Sequence, residues 1–313
     1  MVKYIVKRIA IAILTLFVIA TFTFWLSRAI PGGPFSREKP LAPTVIANLE
    51  RKYGLDKPLI EQYLIYMKNV ATFDFGLSYY AKSETVNQII ERTFPVSCLI
   101  GLWAFIIAII LGIPLGTVSA LMENRAADSV IKIATTLFIA VPSFVMASFF
   151  MYFLGYQWKL LPVAMWGTWQ QTIMPIMALS VRPLATITKY MRSSMLEVLD
   201  TDYIRTSKAK GANSFTVIYV HALKNALLPI LTVSGRLIVN VICGSIVIEQ
   251  IFAIPGLGKS FTQSVLGRDY SMIMGVTVFY AMLFICIFLI VDILYGLVDP
   301  RIKVNQNSKQ EVA

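Results

Sequence analysis

Asp202-Tyr-Ile-Arg-Thr-Ser-Lys-Ala-Lys-Gly-Ala-Asn213 is a basic, glycine-terminated stretch lying between two long apolar runs, Thr172 to Tyr190 and Ala226 to Ile251. Outward from it lie further apolar runs at Ile9 to Ile30, Pro95 to Leu121, Ile133 to Leu154 and Met272 to Val298. Each is long enough to cross a hydrocarbon core of about 30 Å. Backbone groups in lipid must be satisfied within the segment, and these runs lack the short alternating strands of a barrel, so they read as helices. The chain is 57% hydrophobic and 14% charged, well below the charged share of a soluble domain. The expected fold is an all-α integral membrane protein with about six transmembrane helices.

The first run follows Lys3, Lys7 and Arg8, as a signal peptide would. Its apolar part is about 20 residues, longer than an h-region, and no small-x-small cleavage site follows, so it reads as a retained helix. Short loops on one side carry Lys3, Lys7 and Arg8; Arg125 and Lys132; Lys189, Arg192, Arg205, Lys208, Lys210 and Lys224; and Arg301, Lys303 and Lys309. The opposite short loops carry only Lys159, Lys259 and Arg268. Positive loops stay inside, which places both termini and the 202–213 stretch in the cytoplasm. The net charge of +11 is therefore largely a topology signal, and no basic soluble face exists for nucleic acid.

The expected organisation is an N-terminal transmembrane helix (1–30), an external subdomain (31–93), a membrane core (94–300) with a cytoplasmic loop at 191–224, and a cytoplasmic tail (301–313). Within the external part, Pro31-Gly-Gly-Pro34 ends the first helix. Pro43 to Tyr53 and Ile60 to Ala71 carry helical periodicity, and Asp74-Phe-Gly-Leu-Ser78 reads as a turn. Trp158, Trp166 and Trp169 cluster in an outer loop, at the depth indoles favour. Cys98, Cys243 and Cys286 lie in apolar runs and read as packing residues.

Chemistry by this chain alone finds little support. Ala253-Ile-Pro-Gly-Leu-Gly-Lys-Ser260 approaches a phosphate-binding loop, but it leaves a membrane helix on the outer side instead of a strand, so it reads as a Pro-Gly turn. His221 is the only histidine, and neither metal-ligand spacing nor a nucleophile with a base is visible. Gly112-Ile-Pro-Leu-Gly116 is a small-xxx-small pattern that favours close helix packing within the chain. Arg182 and Arg236 fall near mid-depth of their runs, Glu249 toward the outer end of its run and Asp292 toward the inner end of the last. Membrane-embedded charges face a bundle or an aqueous cavity, so these either line a polar substrate pathway or pair within the bundle or with a partner subunit.

From Ser194 to Lys210 the pattern suits a helix with Leu196, Leu199 and Tyr203 on one stripe and Arg205 and Lys208 opposite, ended by Gly211 before a second helix from Ser214. Asp202-Tyr-Ile-Arg-Thr-Ser-Lys-Ala-Lys-Gly211, with His221-Ala-Leu-Lys-Asn-Ala-Leu-Leu-Pro229, resembles the coupling loop of binding-protein-dependent ABC importer permeases of the peptide/nickel branch. Tyr53-Gly-Leu-Asp-Lys-Pro58, Asp74-Phe-Gly-Leu-Ser78, Val141-Pro-Ser-Phe144, Arg192-Ser-Ser-Met195, Ile248-Glu-Gln-Ile-Phe252, Ile254-Pro-Gly-Leu-Gly258 and Val291-Asp-Ile-Leu-Tyr-Gly-Leu-Val-Asp-Pro-Arg301 are similar to that family's landmarks in the same order. Arg205-Thr-Ser207 departs from the Glu-Ala-Ala of the general importer loop, and so does the longer interval from Gly211 to Pro229. Both departures look like the peptide branch.

The resemblance implies a type I importer fold and the role of first permease subunit of an oligopeptide importer in a bacterial cell membrane. A second homologous permease subunit, two cytoplasmic ATPase subunits holding ATP and Mg, and an extracellular peptide-binding lipoprotein would be its partners, with no cofactor bound by this chain. Asp202, Tyr203, Arg205, Thr206, Lys208, Ala209, Lys210, Gly211 and Asn213 would meet an ATPase subunit, and Arg182, Arg236 and Glu249 would lie along the peptide pathway. A nickel or other small-solute importer shares the fold. A secondary transporter would instead show repeated halves with broken helices and coupling acids.

Overall fold

Amides inside an apolar run have no partner but their own segment, and in the computed structural model of the chain the described residues of these runs are helical apart from a break at Val141-Pro142 and a turn at Ser245. The structure describes residues 2–29, 34, 35, 42–81, 83–243 and 245–298, with side chains between 6 and 291. In chain order the helices are α1 Val2–Ala29, α2 Pro43–Lys52, α3 Leu59–Ala71, α4 Val86–Leu121, α5 Ala126–Ala140, α6 Ser143–Phe150, α7 Gln170–Leu199, α8 Asp202–Ala209, α9 Leu223–Cys243, α10 Ile246–Ile251, α11 Leu257–Leu266 and α12 Tyr270–Val298. π-Helical turns extend α6 over Met151–Gln157 and precede α9 over Thr216–Ala222. Among the described residues the only strand-like pairing is the isolated bridge Leu77–Thr85. The expected turn at Pro31 to Gly33, the side chain of Asp292 and the 301–313 tail lie outside the described residues.

Among the described residues, four stretches are long and apolar enough to cross a membrane: Val6–Ala29, Val86–Leu121, Thr216–Ile251 and Tyr270–Val291. The protein is thus a multi-pass membrane protein. The other two expected spans differ from the reading of the sequence. The run from Ile133 to Leu154 is not one straight helix: it breaks at Val141-Pro142, where Ala126–Ala140 and Ser143–Gln157 meet at 104°. Pro142 has no amide to donate and drives Val141 into an extended conformation, with φ −77° and ψ 125°.

The run from Thr172 to Tyr190 lies in α7, which has 30 residues but is less apolar than the four spans. Its many buried positions pack on α9, α5 and α6, so protein covers much of its surface and polar residues on it are tolerated. At α7 the small-xxx-small pair of α4 finds its partner. A Cβ on Gly116 would lie 2.5 Å from Met191 Cβ and 2.6 Å from the Thr188 carbonyl, while one on Gly112 would lie 2.9 Å from Ile187 Cγ2. The pattern serves packing within the chain.

Two compact units divide the chain, Met1–Ser97 with Pro255–Cys286, and Cys98–Ile254 with Ile287–Ala313. In the first, α2 and α3 form where periodicity predicts them, α2 with Pro43 at its start. The Asp74–Ser78 turn is held by Asp74 Oδ1 accepting from the Gly76 amide at 3.1 Å and by Asn87 Oδ1 accepting from the Phe75 amide at 2.9 Å. Ser78 Oγ donates to Asp269 Oδ2 at 2.5 Å, and Asp269 Oδ1 accepts the Met272 amide at 3.0 Å, capping α12. The second unit is built around α7, with Ile187, Met191, Met195, Ile204, Val217 and Ala226 in its buried core.

Candidate functional site

The stretch quoted from the sequence forms a short helix, α8, with one buried anchor. Ile204 is fully buried among Met191, Met195, Val217 and Ala222. Asp202, Tyr203, Arg205, Thr206, Lys208, Ala209, Lys210, Gly211 and Asn213 are all exposed. The expected continuous helix from Ser194 does not form. α7 ends at Leu199, and Asp200-Thr201 resets the helical phase, so Tyr203 does not continue the stripe of Leu196 and Leu199, and Ile204 is the residue of α8 that turns inward. Tyr203 instead accepts a hydrogen bond from Asn225 Nδ2 at 2.8 Å through its hydroxyl.

The far end of α8 is closed by backbone geometry. Gly211 has φ +83°, its amide donates to the Lys208 carbonyl at 3.0 Å, and the Ala212 amide donates to the Ser207 carbonyl at 3.2 Å. This left-handed C′ glycine ends the helix. A Cβ there meets nothing within 4 Å, so the constraint is conformational and not the crowding that a close-packed turn would impose. Asn213 Oδ1 then accepts from the Thr216 amide at 2.7 Å and caps the next helical segment.

Electrostatically, α8 is an open face. Arg205 Nη2 lies 2.6 Å from Asp200 Oδ1, with the two side chains 64% and 83% exposed. A pair so solvated is worth about 0–1 kcal/mol, so the guanidinium is free to exchange partners. Beside α8 a cavity of about 830 Å³ is lined by Glu123, Arg125, Leu199, Asp200 and Lys208.

Behind this face lies a cluster that the sequence did not reveal. Asp128, fully buried in the first turn of α5, accepts from Arg192 Nε at 2.7 Å and Nη2 at 2.9 Å, from Ser119 Oγ at 2.6 Å and from the Asn124 amide at 3.1 Å. Lys132 Nζ is 3.0 Å away. The hydrogen bond to Asp128 raises the Arg192 guanidinium above its ordinary value. The cluster joins the end of α4, the start of α5 and the part of α7 leading to α8. An acid in a first turn is a visible signal. Its partner is 64 positions away, and Arg192 by itself reads only as a topology marker.

The expected pathway residues are not brought into one cluster. Arg182 on α7 and Arg236 on α9 are both exposed, on helices that pack together, and neither makes an ion pair among the described residues. Glu249 in α10 is fully buried and is hydrogen-bonded by Ser245 Oγ. The segment resembling a phosphate loop follows α10, a helix, and the Leu257 amide at the start of α11 already donates to Ser97 Oγ at 2.8 Å. A phosphate cradle requires the opposite on both counts.

Residues 112–304 match the family described as binding-protein-dependent transport system inner membrane component, and residues 1–101 match the N-terminal part of such membrane components. The dipeptide transport system permease protein DppB of Bacillus subtilis is 46% identical over 306 residues, covering 98% of this chain and 99% of the relative. DppB of Lactococcus lactis is 42% identical, covering 97% of this chain and all of the relative (100%). The oligopeptide transport system permease protein OppB of Haemophilus influenzae is 41% identical with the same coverage, 97% and 100%. Among solved structures, an inward-facing MetNI methionine ABC transporter chain aligns with a TM-score of 0.54 at 15% identity, over 69% of this chain and 99% of the other. At that identity the likeness is one of fold, the all-α architecture of type I ABC importer permeases.

Proposed function

The chain belongs to the family of inner membrane components of binding-protein-dependent transport systems, and on that premise we propose that it is a permease subunit of an ATP-driven oligopeptide importer. It forms half of the translocation pathway, with a second, similar permease subunit forming the other half. Two ATPase subunits, holding ATP and Mg, supply the energy, and a binding protein outside the membrane delivers the peptide. The relatives named for dipeptide and oligopeptide transport support peptide as the cargo.

The observation that carries the reading is α8: a polar helix whose only fully buried residue is Ile204, with all nine candidate contact residues solvent-facing. Arg205 and Lys208 face an ATPase subunit, and the adjacent cavity admits side chains from it. The excess of Lys and Arg in one set of short loops supports a cytoplasmic position for this helix and both termini. Closure of the ATPases on ATP moves α8, and the buried contacts of Ile204 pass that motion to α7 and α9. Access then switches between two packed states, biased by nucleotide on one side and binding protein on the other. Arg182 and Arg236 meet the peptide carboxylate along the path. A charge at that depth is expensive against lipid, which favours an aqueous or subunit-facing position for both.

The test is uptake into proteoliposomes holding the assembled transporter, with binding protein outside and ATP inside. Peptide accumulation that depends on both supports the proposal. Nickel accumulation without peptide uptake, or peptide uptake driven by an ion gradient without ATP, refutes it.

A further inference from the structure

Near the end of α7 that leads to α8, donors from four segments meet on one buried carboxylate. Asp128 Oδ1 accepts from Ser119 Oγ of α4 at 2.6 Å and from Arg192 Nε of α7 at 2.7 Å. Its Oδ2 accepts from Arg192 Nη2 at 2.9 Å and from the Asn124 amide in the corner between α4 and α5 at 3.1 Å, with Lys132 Nζ of α5 at 3.0 Å. Glu123, half-exposed on the wall of the cavity beside α8, stands 3.9 Å from Arg192 Nη2. That is too far for a hydrogen bond and too solvated to replace Asp128.

The clasp closes a seam between α4 and α7. Gly112, Gly116 and Ser119 are spaced by about one turn each and share one face of α4. A Cβ on Gly112 would lie 2.9 Å from Ile187 Cγ2 and one on Gly116 2.5 Å from Met191 Cβ, so the two helices approach as closely as glycine permits. Apolar contact is non-directional, and smooth glycine surfaces do little to fix rotation or sliding of one helix on the other. The planar fork of Arg192 on Asp128 is directional and sets the register that the glycines leave open. Leu199, where α7 ends, is about two turns beyond Arg192, roughly 10 Å along the helix. Met191 and Met195, on either side of Arg192 in sequence, share a buried core with Ile204, the inward anchor of α8. A displacement of α8 therefore reaches the clasped segment of α7 first.

We propose that Asp128 and Arg192 are positioning residues for energy coupling: their clasp holds the end of α4, the start of α5 and α7 in one register, so that a movement of α8 turns them as one body. The inference rests on the reading of α8 as the contact for an ATPase subunit. Without the clasp the end of α7 follows α8 while the corner between α4 and α5 stays behind, and ATP is hydrolysed without moving peptide.

The experiment measures peptide taken up per ATP hydrolysed in proteoliposomes holding the assembled transporter, because a stabilising role and a coupling role rank the variants differently. Arg192→Leu leaves the buried carboxylate without its main partner, whereas Arg192→Leu with Asp128→Asn buries no such charge and regains stability. A purely stabilising pair would let the ratio recover with stability. The clasp instead predicts a ratio about tenfold below that of the unmodified transporter in the double variant as well as in Arg192→Leu. Arg192→Lys keeps a positive charge on Asp128 but not the fork, and its ratio should fall about threefold with the subunits still co-purifying. A ratio within about twofold of the unmodified value in the double variant overturns the proposal. If the double variant does not co-purify with its partners, Arg192→Lys decides, and an unchanged ratio there overturns the proposal equally. Absence of ATP-dependent uptake by the unmodified transporter would overturn the importer reading beneath it.

Discussion

Replacing Arg192 by Leu keeps most of an aliphatic side chain but removes the two hydrogen bonds, at 2.7 and 2.9 Å, that Asp128 accepts from the guanidinium. Removing one partner of a buried ion pair costs about 3–5 kcal/mol. Here the loss is smaller, because Lys132 stays 3.0 Å from the carboxylate, Ser119 and Asn124 still donate, and Arg192 is itself 21% exposed. The expected destabilisation of the cluster is about 2–3 kcal/mol. Since every 1.4 kcal/mol is tenfold, the Asn124 amide should exchange its hydrogen roughly 30- to 150-fold faster. The double variant Arg192→Leu with Asp128→Asn no longer buries an uncompensated charge, and should recover about 1–2 kcal/mol relative to Arg192→Leu alone. Hydrogen exchange over residues 119–132 in the purified transporter reads both values. Exchange in Arg192→Leu within about twofold of the unmodified protein, or simple additivity in the double variant, would refute the assignment of this cluster as a buried electrostatic clasp.

Other expectations follow from single positions. Gly211→Val should impair peptide uptake, because a β-branched residue at φ +83° is strained by at least about 1–2 kcal/mol, whereas Gly211→Asn should remain close to normal since asparagine adopts that region. Equal uptake by the two variants would dismiss the conformational explanation. Lys259→Ala should leave ATP binding by the assembled transporter unchanged, measured with a fluorescent nucleotide; lost affinity in an intact complex would put a nucleotide site at residues 253–260. Arg182→Gln and Arg236→Gln should reduce uptake of free-carboxylate peptides more than of amidated ones while subunits still co-purify. Identical losses for both peptide forms would exclude carboxylate recognition.

Much of the architecture was legible because lipid leaves the backbone few options. The polar break between two apolar runs located α8, and Pro43 with the periodicity after it located α2. What escaped depended on phase or on distance along the chain. A helix unbroken from Ser194 would put Tyr203 on the stripe of Leu196 and Leu199, but the Asp200-Thr201 break shifts the phase and makes Ile204 the buried residue. Pro142 was visible, yet the apolar run continued through it and hid the 104° bend. Asp128 with Arg192 and Ser78 with Asp269 join residues 64 and 191 positions apart, which no local pattern records. The exposure of Asp202, Arg205, Thr206, Lys208 and Lys210 was legible because a run of polar residues is unusual in such an apolar chain.

The coupling role of α8 is tested most directly by Arg205→Glu in proteoliposomes holding the assembled transporter, with peptide uptake and peptide-stimulated ATP hydrolysis measured on the same sample. The exposed pairs of Arg205 with Asp200 and Asp202 contribute little, about 0–1 kcal/mol, so the fold and the complex should survive the reversal. The prediction is an intact complex in which both uptake and peptide-stimulated hydrolysis fall together. Unchanged uptake and unchanged stimulation in that intact complex would contradict it.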